Sequence, residues 1–80
     1  MDRDVALAKV IEVVADTLEI EPEEVVESAA YVEDFNADSL DLVELVMAFE
    51  DEFKVSIPEE DVASIKTVGQ TVDYILAQAG

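Results

Sequence analysis

The chain has 80 residues, 51% of them hydrophobic, and four Lys and Arg against twenty-one Asp and Glu, for a formal net charge of −17. That surface excludes nucleic acid and anionic membrane as good partners and favours basic protein surfaces. Neither His nor Cys occurs. The absence removes the usual catalytic bases, disulfide staples and Cys/His zinc sites, and with no base beside it a serine catalyses little.

A chain of this size buries only about 60% of its unfolded surface. Stability must therefore come from helix packing. No apolar run approaches the ~20 residues of a membrane span. Met1-Asp2-Arg3-Asp4 lacks the basic start of a signal or transit peptide. These features fit a cytoplasmic protein, and the Met1 start and Gly80 end suggest a freestanding one.

Leu7, Val10, Ile11, Val14 and Leu18 recur at helical spacing and predict an amphipathic helix from about Asp4 to Leu18. Glu19 to Glu24 reads as a turn around Pro22. A long loop is expected from about Glu27 to Ala37, with Val25, Val26, Tyr31, Val32 and Phe35 folding inward as anchors. A second helix runs from about Ser39 to Phe53, capped by Asp38, with Asp41 three residues on as a capping-box partner. Pro58 and the acidic residues after it open a short helix over Glu59 to Ile65. Thr67 caps a last helix, about Val68 to Gln78, with Val68, Val72, Ile75 and Leu76 inward. The fold class is all-α: a small four-helix bundle, three main helices plus one short helix, with a long first loop.

The second helix carries two apolar stripes. Leu42, Leu45, Val46, Phe49 and Phe53 form the core face. Leu40, Val43 and Met47 form another, which a helix packed on one side of a small bundle does not need. Asp41, Glu44, Glu50 and Asp51 lie around it, with no basic residue from Asp38 to Phe53. Like charges three or four residues apart cost a few tenths of a kcal/mol per pair. One reading is a solvated acidic face. The other is a docking surface whose Leu, Val and Met fill shallow pockets while carboxylates meet Arg and Lys.

Four serines occur, and only Ser39 stands in the first turn of a strong helix. Unpaired N–H groups and the positive dipole end would accommodate a phosphodiester on its hydroxyl there. The plainer reading makes Ser39 an ordinary helix serine and Asp38 simply its cap. Asp34-x-Asn36-x-Asp38 also opens like a calcium loop. Ser39 stands where that loop needs Gly, and Leu45 where it needs Glu, with Glu44 one place early, so no metal site is expected.

Asp38-Ser39-Leu40, set in the segment Val32 to Ala48, closely resembles the attachment motif of acyl carrier proteins. The likeness extends through Phe53, Ile57-Pro58, Thr67-Val68 and Asp73-Tyr74-Ile75, nearly the whole chain. It implies a carrier domain over residues 1–80 that is no enzyme and is expected as a monomer. It further implies that a holo-carrier synthase, a phosphopantetheinyl transferase, places 4′-phosphopantetheine from coenzyme A on Ser39, with Asp38 assisting. The thiol of that group would carry fatty acyl intermediates as thioesters, supplying the reactive sulfur that the sequence lacks.

By the same resemblance, Leu40, Asp41, Val43, Glu44, Met47, Glu50 and Asp51 meet basic patches on ketosynthases, reductases, dehydratases and acyltransferases, and Glu59 and Glu60 extend that surface. Leu45, Phe49 and Ile65, with Val62, Ile75 and Val32, would line the acyl cavity. Two departures stand out. Phe35-Asn36 replaces the family's Leu-Gly, with Asn the next-best residue for a left-handed turn. Leu42 replaces a frequent Thr or Ser and adds apolar bulk near the cavity. The alternatives are a carrier for polyketide or aminoacyl chemistry and an acidic interaction module that mimics nucleic acid.

Overall fold

The computed structural model describes residues 2–79. Its elements, in chain order, are α1 (Arg3–Leu18), a 3₁₀ turn (Pro22–Glu24), α2 (Tyr31–Phe35), α3 (Ser39–Phe53), α4 (Glu59–Val62) and α5 (Val68–Ala79). The three long helices agree with the expected bundle, and the short α4 is present but ends at Val62 rather than at the expected Ile65. The long loop does not run unbroken, because its second half winds into α2.

Helix α1 packs against α3 and α5. Its Val10 and Val14 are fully buried with Val68, Val72 and Ile75 of α5. The residue closing α1, Glu19, adopts a left-handed conformation (φ 56°) and donates its N–H to the Ala15 carbonyl. Lys54 does the same after α3, at φ 57°, bonding to the Glu50 carbonyl. Neither position is glycine, so each accepts the crowding of a Cβ in that region.

The segment between the 3₁₀ turn and α2 is held by backbone bonds to the start of α5. Tyr31 N–H donates to the Lys66 carbonyl (3.1 Å), Val68 N–H to Ala29 (3.0 Å) and Gly69 N–H to Glu27 (2.9 Å). A Cβ on Gly69 would lie 3.2 Å from the Glu27 carbonyl oxygen, so this close approach favours glycine. Thr67 caps α5 by accepting from Gln70 N–H (3.1 Å).

Tyr31 explains why α2 forms. Its ring is buried and its hydroxyl lies 2.5 Å from Thr71 Oγ1 on α5. Thr71 in turn donates to the Thr67 carbonyl (3.0 Å). A hydroxyl has one proton to give, so Tyr31 is the donor in the buried pair. At the helix start, Asp34 accepts from Ala30 N–H (2.7 Å). Of the expected anchors, Val25 and Tyr31 are buried and Phe35 is half-buried, but Val26 and Val32 are exposed. Val25 already takes the inward position beside Val26, and Val32 lies on the outer side of the single turn that Tyr31 buries.

Exposed ion pairs fasten the ends of the bundle. Arg3 pairs with Glu27 and, at 2.8 Å, with Asp73. Among the described residues, no helix is long and apolar enough to cross a membrane.

Candidate functional site

The turn from α2 into α3 sets the site. Asn36 takes the left-handed conformation (φ 56°) that a Gly would take more cheaply, and its N–H donates to the Val32 carbonyl (3.1 Å). Ala37 is buried, its N–H 3.0 Å from the Tyr31 carbonyl. The chain then turns outward at Asp38. Its carboxylate accepts from Asp41 N–H (2.9 Å), and the Asp41 carboxylate accepts from Asp38 N–H (3.2 Å). This reciprocal pair is the capping box expected from the sequence. It leaves the exposed Ser39 side chain on the first turn, at the positive end of the α3 dipole.

Beyond Ser39, the second apolar stripe stands in solvent. Leu40 is 65% exposed, Val43 53% and Met47 62%. The core stripe of the same helix is buried at Leu45 and Phe49 and half-buried at Leu42, Val46 and Phe53.

The acidic residues divide into free and engaged. Glu44, Asp51, Glu59 and Glu60 are exposed. Asp41 is half-buried and occupied in the cap. Glu50 is also half-buried, and its Oε2 accepts from Ile57 N–H at 2.7 Å, tying the end of α3 to the loop before α4. Helix α4 is tied on its other side by Tyr74, which donates to Asp61 at 2.7 Å. That hydrogen bond to a carboxylate holds the Tyr74 hydroxyl above its ordinary pKa.

Two apolar openings flank the α3–α4 contact. The first, about 550 Å³, begins at Ser39 and is lined by Leu42, Val43, Val46, Met47, Ile57, Glu59, Val62 and Ala63. The second, about 360 Å³, lies between α2, α3 and the segment after α4. Its walls include Tyr31, Val32, Leu42, Val62, Ala63 and Ile65. Val62, Ile65 and Val32 therefore border open space. Leu45, Phe49 and Ile75, also expected around an acyl cavity, lie in the closed core and line neither opening. They sit deeper because the core stripe of α3 faces α1, while the openings form along its flank. Val46, Ile57 and Ala63 were not anticipated as lining, and only Leu42, as a departure from the family pattern, carried a signal in the sequence.

A family model described as a phosphopantetheine attachment site matches residues 8–75. An acyl carrier protein of Thermosynechococcus vestitus is 51% identical over 75 residues, covering 94% of this chain and 93% of that one. The chain belongs to the acyl carrier protein family. A solved acyl carrier protein structure from Enterococcus faecalis superposes with a TM-score of 0.80 at 38% identity, covering 98% of this chain and 99% of that one. The fold is that of acyl carrier proteins.

Membership makes the protein a carrier of acyl groups rather than a catalyst, and its cofactor is covalently bound 4′-phosphopantetheine. As an acyl carrier protein it meets a phosphopantetheinyl transferase and the biosynthetic enzymes that use its cargo. The residues fit such a group. Covalent attachment through phosphate needs an accessible hydroxyl, and Ser39 offers one at a helix end that tolerates an anion, beside an apolar opening.

Proposed function

We propose that Ser39 is the attachment residue and that the protein serves fatty acid biosynthesis in the cytoplasm. The carrying observation is the position of Ser39: exposed on the first turn of α3, at the mouth of an apolar opening, and next to an exposed Leu-Val-Met stripe. In the loading step the Ser39 hydroxyl oxygen bonds to the phosphorus of coenzyme A's pantetheine phosphate. The bond from that phosphorus to the adenosine part breaks, adenosine bisphosphate leaves, and the hydroxyl proton passes to a base of the transferase. Asp38 supports this by fixing the helix end from which Ser39 projects. Once bound, the group supplies a thiol that carries acyl chains as thioesters.

Helix α3 is the docking surface. Leu40, Val43 and Met47 supply apolar contact, and Glu44 and Asp51, with Glu59 and Glu60, supply charge that steers basic partners. The partner enzymes are ketosynthases, reductases, dehydratases and acyltransferases presenting Arg and Lys. Asp41 and Glu50 add to the field of that face, but both side chains already hold the fold together. The two openings beside α4 would shelter the cargo, with Val62, Ile65 and Val32 at their walls, while Leu45, Phe49 and Ile75 stay in the closed core.

The test is intact mass after incubation with coenzyme A, Mg²⁺ and a broad-specificity phosphopantetheinyl transferase. The parent is expected to gain one phosphopantetheine and Ser39→Ala none. A folded Ser39→Ala variant that still gains the group would move the attachment elsewhere. A folded parent that gains nothing would leave Ser39 as a helix residue and favour an acidic interaction module.

A further inference from the structure

The two apolar openings share three wall residues: Leu42, Val62 and Ala63. Ser39 borders only the first. Val32, Tyr31 and Ile65 border only the second. Leu42 lies three residues after Ser39, one helical turn along α3, so it stands directly beyond the tether point on the same face. Opposite it, Val62 and Ala63 belong to α4 and its C-terminal end. The three residues common to both linings mark the ridge where the two openings adjoin.

We propose that Leu42 is a specificity-determining residue that partitions the acyl-holding space by chain length. This rests on the reading that Ser39 bears the prosthetic group. A short or medium acyl chain fills the first opening, against Val43, Val46 and Ile57, without disturbing the ridge. A long chain reaches the second opening only by displacing Leu42 or pushing α4 outward. Movement of α4 works against its two fastenings, Tyr74 to Asp61 (2.7 Å) and Glu50 to Ile57 N–H (2.7 Å). The half-buried Leu42 side chain, branched and apolar, blocks the passage sterically. Threonine at this place would shorten the ridge and leave a polar edge in it.

The test uses a broad-specificity phosphopantetheinyl transferase and Mg²⁺ to load butyryl-, octanoyl- and hexadecanoyl-phosphopantetheine from the matching acyl-coenzyme A onto parent, Leu42→Ala and Leu42→Thr proteins. Intact mass first establishes loading. Two readouts follow for each loaded form: the change in Tm relative to the same variant unloaded, and backbone amide shifts at Val46 and Ile57 against Val32 and Ile65.

In the parent, stabilisation should rise from butyryl to octanoyl and not increase further with hexadecanoyl. Amide shifts should stay at Val46 and Ile57. In Leu42→Ala, the hexadecanoyl form should give the largest rise in Tm, with shifts spreading to Val32 and Ile65. Leu42→Thr should fall between them, and it guards against an alanine variant too loosely packed to fold. If the loaded parent and both variants show one chain-length profile, or hexadecanoyl already shifts Val32 and Ile65 in the parent, Leu42 is no partition. If mass shows no loading on Ser39, this proposal falls together with the attachment assignment.

Discussion

One side of this bundle is closed and the other is open. Between α1 and α5, Val10, Val14, Val68, Val72 and Ile75 leave no exposed surface. Along α3 and α4, apolar side chains line two openings or stand in solvent. The same helix serves both sides: Leu45 and Phe49 face the closed core, while Leu40, Val43 and Met47 face out. The apolar surplus that a minimal bundle has no use for is thus concentrated on the side where Ser39 projects. Stability and function separate by helix face rather than by segment.

Phe49 and Met47, two residues apart, sharpen this contrast most. Phe49→Ala should cost about 3–5 kcal/mol. A domain this small holds roughly 5 kcal/mol, the low end of the usual range. Urea unfolding followed by circular dichroism should therefore show a largely unfolded chain at low urea. Met47→Ala, on the exposed stripe, should leave the urea midpoint nearly unchanged, within about 0.5 kcal/mol. Equal losses at the two positions would break the division between faces.

The helix end that links the two sides comes next. Asp38→Ala removes the acceptor for Asp41 N–H. The expected cost is about 1 kcal/mol, a fall in Tm of about 4–8 °C for a chain of this length. Asp38→Asn keeps a capping oxygen and should restore most of that Tm. Loading rates on the two variants then separate roles: a slow Asn variant with a normal Tm would give the carboxylate a part in modification beyond capping.

What was legible in the sequence was local. The capping box at Asp38 and Asp41, the start of α5 at Thr67 and the long apolar stripes each depend on residues three or four apart, and the structure has them where the spacing puts them. Helix α2 was not legible, because five residues are too few for a period. It is held from a distance by Tyr31 bonding to Lys66 and Thr71. The left-handed ends at Glu19 and Lys54 carried no Gly or Asn to announce them. At the site, the exposed stripe was readable as a surplus. Which apolar residues border open space was not, since Val62 and Leu45 look alike in sequence and differ only in what packs over them.

The subtlest effect, a change with pH, concerns the buried polar link that anchors α2 to α5. Burial pushes the Tyr31 pKa up from its ordinary value, and a hydrogen bond that Thr71 could turn toward a phenolate offsets only part of this. The unfolded chain releases the Tyr31 proton near pH 10, while the folded chain keeps it. Raised in the folded state, this group contributes stability that is fully present below about pH 10 and is lost as pH climbs further. Tyr31→Phe deletes the hydrogen bond and should cost about 1 kcal/mol at neutral pH. It also deletes the alkaline penalty, so the gap between parent and variant should narrow above about pH 10. Tyr74 is retained in both proteins, so its own raised pKa cancels from the difference. Urea midpoints of both proteins measured at neutral and alkaline pH provide the check. A gap that stays constant would mean that Tyr31 ionises in the folded protein as readily as in the unfolded one.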